Sequence, residues 1–234
     1  MAAFRSEPYI VINARRMEHL ASIGLPLEGK TVLELGAGIG DLTGFFRARG
    51  CRVAATEGRG ENFAVLRERY RDDPLVTTHE YDLDPPRTPP ELVGKAFDVV
   101  FCYGLLYHLS DPDGALDAIA NACGGTLLLS TRVSRGEEPS IVPVSETAAN
   151  PWEAVSGRGC RPTRPWVWNA LHARFRFVYS VRTQPRHPEF PVDWTDAGRA
   201  HDAERTRCVF IASRAPIENP LLVPELLMKQ QRQP

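Results

Sequence analysis

The sequence predicts an α/β fold: a sheet of seven strands, mostly parallel with an antiparallel strand at one edge, and helices on both faces. Three observations carry this. Short apolar runs alternate with segments of helical period from Thr31 to Ser130. The first five runs are near-continuously apolar, as strands buried on both faces are. The first of them leads straight into a glycine-rich turn, where an open parallel sheet holds its ligand. With 234 residues, 43% of them hydrophobic and 24% charged, the chain is long enough for one domain with a full core.

Residues 9–21 place Ile10, Ala14, Met17 and Ala21 on one helical stripe, with Leu20 beside it and Arg15, Arg16 and Glu18 on the other face. Gly24 and Pro26 end that helix, so 1–28 is an N-terminal helical segment. Residues 31–35 (TVLEL) read as a buried strand and 36–40 as the glycine turn. Asp41 is placed to cap a helix carrying Leu42, Phe45 and Phe46, which Gly50 closes. A second strand is 52–56 (RVAAT). A helix over 61–71 shows Phe63, Leu66 and Tyr70 on one side, and 75–78 is a third strand. The proline-dense run 84–90 is a rigid loop. Residues 97–102 (FDVVFC) form the fourth strand. Asp111 and Pro112 open a helix to about Ala122, which Gly124 and Gly125 stop, and 126–130 (TLLLS) is the fifth strand.

Beyond it the rhythm is lost. Residues 132–165 read as an inserted region, with no clear period over 132–160. A helix starts at Pro162 or Pro165 and runs to about Arg174. Residues 175–181 alternate as a strand, 184–205 are polar loop, and 208–212 (CVFIA) are the last strand. The tail 216–234 shows little structure of its own. There is no internal repeat, and 1–234 reads as a single domain.

The formal charge is −1, from 28 Lys+Arg against 29 Asp+Glu, which excludes a globally basic nucleic-acid binder. Arginine outnumbers lysine 25 to 3, read mainly as coding bias. The five cysteines are scattered without a C-x-x-C pair, so no disulfide framework and no metal site is expected. No apolar run reaches the roughly 20 residues of a membrane span, and the N-terminus lacks an apolar leader, so a cytoplasmic location with no membrane partner is expected.

The turn reads Val32-Leu33-Glu34-Leu35-Gly36-Ala37-Gly38-Ile39-Gly40-Asp41. A dinucleotide fingerprint fails here, because its third glycine position is Asp41, whose charge would repel a pyrophosphate at a helix N-terminus. E-x-G-x-G-x-G instead resembles motif I of the class I S-adenosylmethionine-dependent methyltransferases, whose ligand carries no phosphate. The resemblance covers about residues 10 to 213. It implies a Rossmann-like seven-stranded methyltransferase sheet, S-adenosylmethionine as cofactor, and methyl transfer. It implies cofactor contacts from Glu34, Gly36, Ala37, Gly38 and Gly40 in the turn. It also implies contacts from Glu57 on the ribose, Asp82 and Leu83 at the adenine, and Tyr103 after the fourth strand. A carboxylate at Glu57 offers two oxygens to two ribose hydroxyls. Asp82 is preferred over Asp84, which precedes Pro85 and starts the turn. Arg16, from the N-terminal helix, is the expected partner of the cofactor carboxylate.

The string Gly104-Leu105-Leu106-Tyr107-His108-Leu109-Ser110-Asp111-Pro112 closely resembles the branch that includes enzymes carboxymethylating the tRNA wobble uridine. Pro162-Thr163-Arg164, a tryptophan and a helix ending at Phe175 extend that resemblance. Tyr107 matches the tyrosine that serves the branch's carboxylated cofactor. The branch's N-terminal lysine has no counterpart, since Lys30 is the first lysine and abuts strand one. The resemblance therefore implies ordinary S-adenosylmethionine.

Methyl transfer is an in-line displacement in which alignment does most of the work. His108 is the candidate general base, because a free imidazole changes charge near neutrality. Tyr107, Arg164, Trp168 and His187 are the candidate substrate residues. Between Ala154 and Pro188 there are seven arginines and no acid. If that stretch faces the pocket, the acceptor carries an anionic handle. The sequence thus points to a methyltransferase with a small-molecule acceptor. The alternatives are a tRNA-modifying methyl or carboxymethyl transferase and a cofactor-binding protein without catalysis. The oligomeric state stays open.

Overall fold

The computed structural model describes residues 3–85, 89–195 and 206–233. In chain order the helices are α1 (Glu7–Ile23), α2 (Thr43–Arg47), α3 (Gly60–Arg69), α4 (Pro112–Ala122) and α5 (Arg164–His172). The strands are β1 (Thr31–Leu35), β2 (Arg52–Glu57), β3 (Val76–Glu80), β4 (Phe97–Tyr103), β5 (Cys123–Arg132), β6 (Ile141–Ser145), β7 (Arg158–Pro162), β8 (Phe177–Val181), β9 (Thr183–Gln184), β10 (Arg207–Ser213), β11 (Leu222–Val223) and β12 (Gln231–Arg232).

The main sheet has eight strands in the order β11-β8-β10-β5-β4-β1-β2-β3. Strands β1 to β5 pair parallel. β10 runs antiparallel to both β5 and β8, so the antiparallel pairing gathers at that side of the sheet. The eighth strand, β11, comes from the tail and pairs with β8. Chain order reverses between β1 and β4, which puts a ligand crevice at their carboxyl ends.

Alternate residues of each central strand serve two cores. Leu33, Val100, Leu127 and Leu129 pack with Leu116 and Ile119 of α4 and with Val167 and Leu171 of α5. Val32, Val53, Phe101 and Leu128 pack with Leu20 and Ile23 of α1, Phe46 of α2 and Leu66 of α3. Both faces are covered, which is why the strands read as apolar runs. The five cysteines are buried free thiols. Among the described residues no helix is long and apolar enough to cross a membrane.

Several expectations shift. α1 is rotated from its apolar stripe: Ile10 is 55% exposed, while Asn13, Arg16 and His19 are buried. A helix facing a polar crevice buries polar groups, so its stripe misreports its inner face. Asp41 does not cap α2, whose first turn follows Leu42; its carboxylate pairs with Arg69 at 2.5 Å. Asp111 does cap α4, accepting from the Gly114 amide. Gly124 and Gly125 lie inside β5 rather than ending α4 in a turn. A Cβ at Gly125 would meet the Asp98 carbonyl oxygen at 2.3 Å, so glycine there lets β5 run close to β4. The region without period contains the β6–β7 hairpin. The tail is ordered: Leu222 and Val223 are buried, and Gln230 bonds Gln184, Trp194 and the Val181 carbonyl. Part of the 184–205 loop, and Pro86 to Thr88 of the proline run, lie outside the described residues.

Candidate functional site

A cavity of about 700 Å³ opens at the carboxyl ends of β1, β2, β4 and β5. Its floor on one side is the turn after β1. Gly36 (φ 67°) and Gly38 (φ 59°) adopt the left-handed region, and with Ala37 they line the cavity. Gly40 does not line it: Tyr70 covers it, and the Tyr70 hydroxyl donates to the Gly40 carbonyl at 2.8 Å.

Glu57 ends β2 and reaches the cavity edge. Its Oε2 accepts from the Gly38 amide at 2.9 Å and its Oε1 from the Arg59 amide at 3.0 Å. Asn62 adds a longer contact at 3.4 Å. Burial raises its pKa, while those donors oppose the shift. Oε2 keeps a lone pair for a further donor, and the second on Oε1 is engaged only by the longer Asn62 contact. Asp82 and Leu83 line the next stretch of wall. Asp84 lines it too, but its carboxylate accepts from the Ser110 amide and hydroxyl and from Ser156. That ties Asp84 to the loop and leaves Asp82 the freer acid.

Across the cavity, Tyr103 ends β4, and Gly104 (φ 91°) admits Arg16 from α1. A Cβ on Gly104 would lie 3.5 Å from the nearest Arg16 nitrogen. Arg16 is 5% exposed and bonds Asn13, while its Nε and one terminal nitrogen find no partner among the described residues. Burial lowers its pKa to about 10. The Tyr103 hydroxyl is likewise buried without a partner, and burial raises its pKa.

Tyr107 sits at the centre of a second group. Arg207 donates to its hydroxyl at 3.1 Å. The guanidinium carbons of Arg132, Arg207 and Arg161 lie 4.9, 5.0 and 5.3 Å from its ring centroid. Burial alone would raise the phenol, but Arg207, His108, Arg132 and Arg16 outweigh it and pull it down to about 6. Arg207 is also held by Glu189 at 2.6 Å. His108 contacts Glu146 through Nδ1, and Glu146 bonds Arg161 in turn. Glu146 comes from the end of the β6–β7 hairpin, so the inserted region delivers a carboxylate to the site.

The inserted loop also closes the cavity. Trp152 stacks on Tyr9 of α1 with centroids 6.0 Å apart, and Phe4 packs against both. Arg59 donates to the carbonyls of Ala148 and Glu153, and Asn62 to that of Pro151.

Of the residues the sequence singles out, Gly36, Ala37, Gly38, Glu57, Asp82, Leu83, Tyr103, Arg16, Tyr107 and His108 line one cavity. The others do not. Glu34 is buried within β1 with one oxygen unpartnered, and burial pushes its carboxyl up to about 8. Arg164 is buried against Trp194 and donates to the Leu227 carbonyl. Trp168 packs on Phe210 and His172 in the core. His187 lies behind Glu189, whose amide donates to its Nδ1. The seven-arginine stretch disperses as well: Arg174 pairs with Asp113 and Asp117, and Arg182 bonds Pro220. The arginines that line the cavity are Arg16 of α1, Arg59 after β2, Arg132 of β5 and Arg207 of β10, none of them from the stretch. Arg207 and Glu189 carry no local sequence signal, because their neighbours in space are distant in the chain.

Residues 33–125 match the family model of a methyltransferase domain. The chain is 28% identical over 132 residues to a tRNA U34 carboxymethyltransferase of Dichelobacter nodosus, covering 54% of this chain and 40% of that protein. It is 31% identical over 116 residues to a ubiquinone biosynthesis O-methyltransferase of Psychrobacter arcticus, covering 49% and 45%. The chain thus spans less than half the length of these curated relatives. The fold matches the N-terminal domain of EvdMO1, crystallised with S-adenosylhomocysteine and D-fucose, at TM-score 0.62 and 22% identity over 86% of this chain and 82% of that one. Residues 33–125 thus match a methyltransferase domain, the fold is that of the EvdMO1 N-terminal domain, and the chain is locally similar to the tRNA U34 carboxymethyltransferases.

Proposed function

We propose that the protein binds S-adenosylmethionine in this cavity and transfers its methyl group to a small-molecule acceptor. One observation carries the reading: the Gly36–Gly38 turn, the Glu57 carboxylate and the unpartnered Arg16 guanidinium line a single cavity at the strands' carboxyl ends. Those groups fit the cofactor's chemistry. Glu57 suits the two ribose hydroxyls, Asp82 and Leu83 the adenine edge and face, and Arg16 the methionine carboxylate. When bound, the cofactor supplies a methyl group activated on a sulfonium.

The chain's own residues would align the acceptor and take up its proton. His108 lines the cavity with Nδ1 engaged by Glu146, which leaves Nε2 as the basic nitrogen. His108 would take up the proton that the acceptor's nucleophilic atom loses on methylation. Arg132, Tyr107 and Arg207 line the same cavity. A small acceptor is favoured because Trp152 and Tyr9 stack over the opening, leaving a covered pocket rather than an open basic groove.

Calorimetry with S-adenosylhomocysteine tests the cofactor reading. Wild type is expected to bind one equivalent, and Glu57→Ala to bind about thirtyfold more weakly or worse, from the loss of charge-assisted hydrogen bonds. Equal affinity in the two proteins contradicts it.

A further inference from the structure

The loop between β6 and β7 is built as a separate body. Its residues bond one another: the Asn150 amide donates to the Thr147 carbonyl, and the Glu153 carboxylate accepts from the Thr147 amide and the Asn150 side chain. The loop closes at its base, where the Glu146 amide donates to the Gly157 carbonyl and the Glu146 carboxylate accepts from the Ala154 amide. Gly157 turns the chain there with φ 71°, a conformation that residues with a Cβ rarely adopt. Of residues 147–155 only Ala154 is buried. A loop with so little buried surface separates from the body at low free-energy cost, and its internal bonds carry it as a unit.

Its fastenings to the body lie over the Glu57 end of the cavity, which residues 150–155 help to line. Arg59 donates to the Ala148 carbonyl at 2.8 Å and to the Glu153 carbonyl at 3.1 Å. Asn62 donates to the Pro151 carbonyl at 2.8 Å. Trp152 rests on Tyr9 and is still 39% exposed, so this contact is a rim contact rather than a core one. The two polar fasteners also hold Glu57, Arg59 through its backbone amide and Asn62 through the same side-chain nitrogen that grips the loop. At the loop's base, Glu146 contacts His108 and Arg161. The position of the loop is therefore tied at one end to Glu57 and at the other to the imidazole.

We propose that residues 147–155 are a lid that swings away to admit and release the nucleoside cofactor, and that Arg59 and Asn62 are positioning residues that latch it shut. The proposal rests on the reading that S-adenosylmethionine occupies this cavity, and it adds what controls exchange there. Closure excludes water and sets His108 through Glu146 in one movement, because the lid base and the imidazole share that carboxylate.

A gate and a fixed wall differ in kinetics. Where binding passes only through an open form, association and dissociation both scale with the open fraction. Loss of a contact from a fixed wall speeds dissociation and leaves association as it was. The test is surface plasmon resonance of S-adenosylhomocysteine on the immobilised full chain, as wild type, Arg59→Ala and Trp152→Ala. Arg59→Ala removes the two hydrogen bonds to the lid and keeps the backbone amide that holds Glu57. It is expected to speed association and dissociation together, each by about fivefold or more. Trp152→Ala removes the ring contact and is expected to speed both by about threefold or more. Retained saturable binding shows that each variant folds, and the exposed Trp152 site keeps the test intact if Arg59→Ala does not. Faster dissociation with unchanged association means a fixed wall and overturns the lid, as do unchanged rates. Failure of S-adenosylhomocysteine to bind wild type is a separate result, which removes the cofactor reading itself.

Discussion

Glu34 and Tyr107 show how burial and neighbours push two acids in opposite directions. Tyr107 is surrounded by arginines, which favour the phenolate and outweigh its burial. Glu34 has no cation beside it, so burial holds its carboxyl protonated up to about pH 8, against an ordinary value of 4.5. Between those values the folded state carries one proton that the unfolded chain has released. Stability from Glu34 is therefore fully present below about pH 4.5 and is lost as pH rises toward 8. Glu34→Gln removes that dependence. Denaturant unfolding at pH 5 and pH 8 should show the variant gaining on wild type as pH rises. The gain should approach about 1.4 kcal/mol per pH unit where one proton separates the states. Parallel pH curves for the two proteins would contradict it. Glu34 also marks a limit of sequence reading. The motif string places an acid at the turn, and the structure buries this one within β1 with one oxygen unpartnered. Glu57 differs because it is the last residue of its strand, so its side chain reaches past the sheet edge.

The parallel elements were legible because burial on both faces writes itself as apolar runs, as in 97–103 and 126–130. The later elements were not. The β6–β7 hairpin is half exposed, with Pro143 and Gly159 in its strands, so it has neither continuous apolarity nor clean alternation. Its structure comes from contacts with the loop after β4. Arg161 donates to the Tyr107 carbonyl, and a Cβ at Gly159 would meet that same oxygen at 2.6 Å. Gly124 and Gly125 misled for a related reason. Their composition signals a stop, whereas close approach of β4 and β5 is what requires them. Gly125→Ala should therefore destabilise the protein by about 2 kcal/mol or more, as a steric clash inside a packed sheet. Urea unfolding measures it, and a change near zero would show that the two strands can separate without cost.

At the scale of the molecule, the tail behaves as part of the domain. β11 extends the sheet, Asn219 donates to the Ile23 carbonyl at the end of α1, and Gln230 joins β8 and β9 to Trp194. Truncation before Pro216 exposes the sheet edge and the partners of Leu222 and Val223. A loss of about 3 kcal/mol or more is expected, from two buried aliphatic side chains and their strand. Thermal unfolding of the truncated chain checks this, and an unchanged melting temperature would contradict it. The same long-range assembly builds the cavity. α1 brings Arg16, β2 brings Glu57, β5 and β10 bring Arg132 and Arg207, and Glu146 after β6 holds His108 from behind. The cofactor half of this set was readable because motif positions follow strand ends. The arginine half was not, because the acid-free stretch disperses among separate partners once folded, while the cavity draws its cations from distant strands.

The most direct measurement is a crystal structure of the protein with S-adenosylhomocysteine. The ribose hydroxyls are expected on Glu57, the methionine carboxylate on Arg16, and the sulfur facing Tyr107, Arg132 and Arg207 beside His108. A complex with the nucleoside bound outside this cavity, or with its sulfur turned away from the arginine pair, would contradict it.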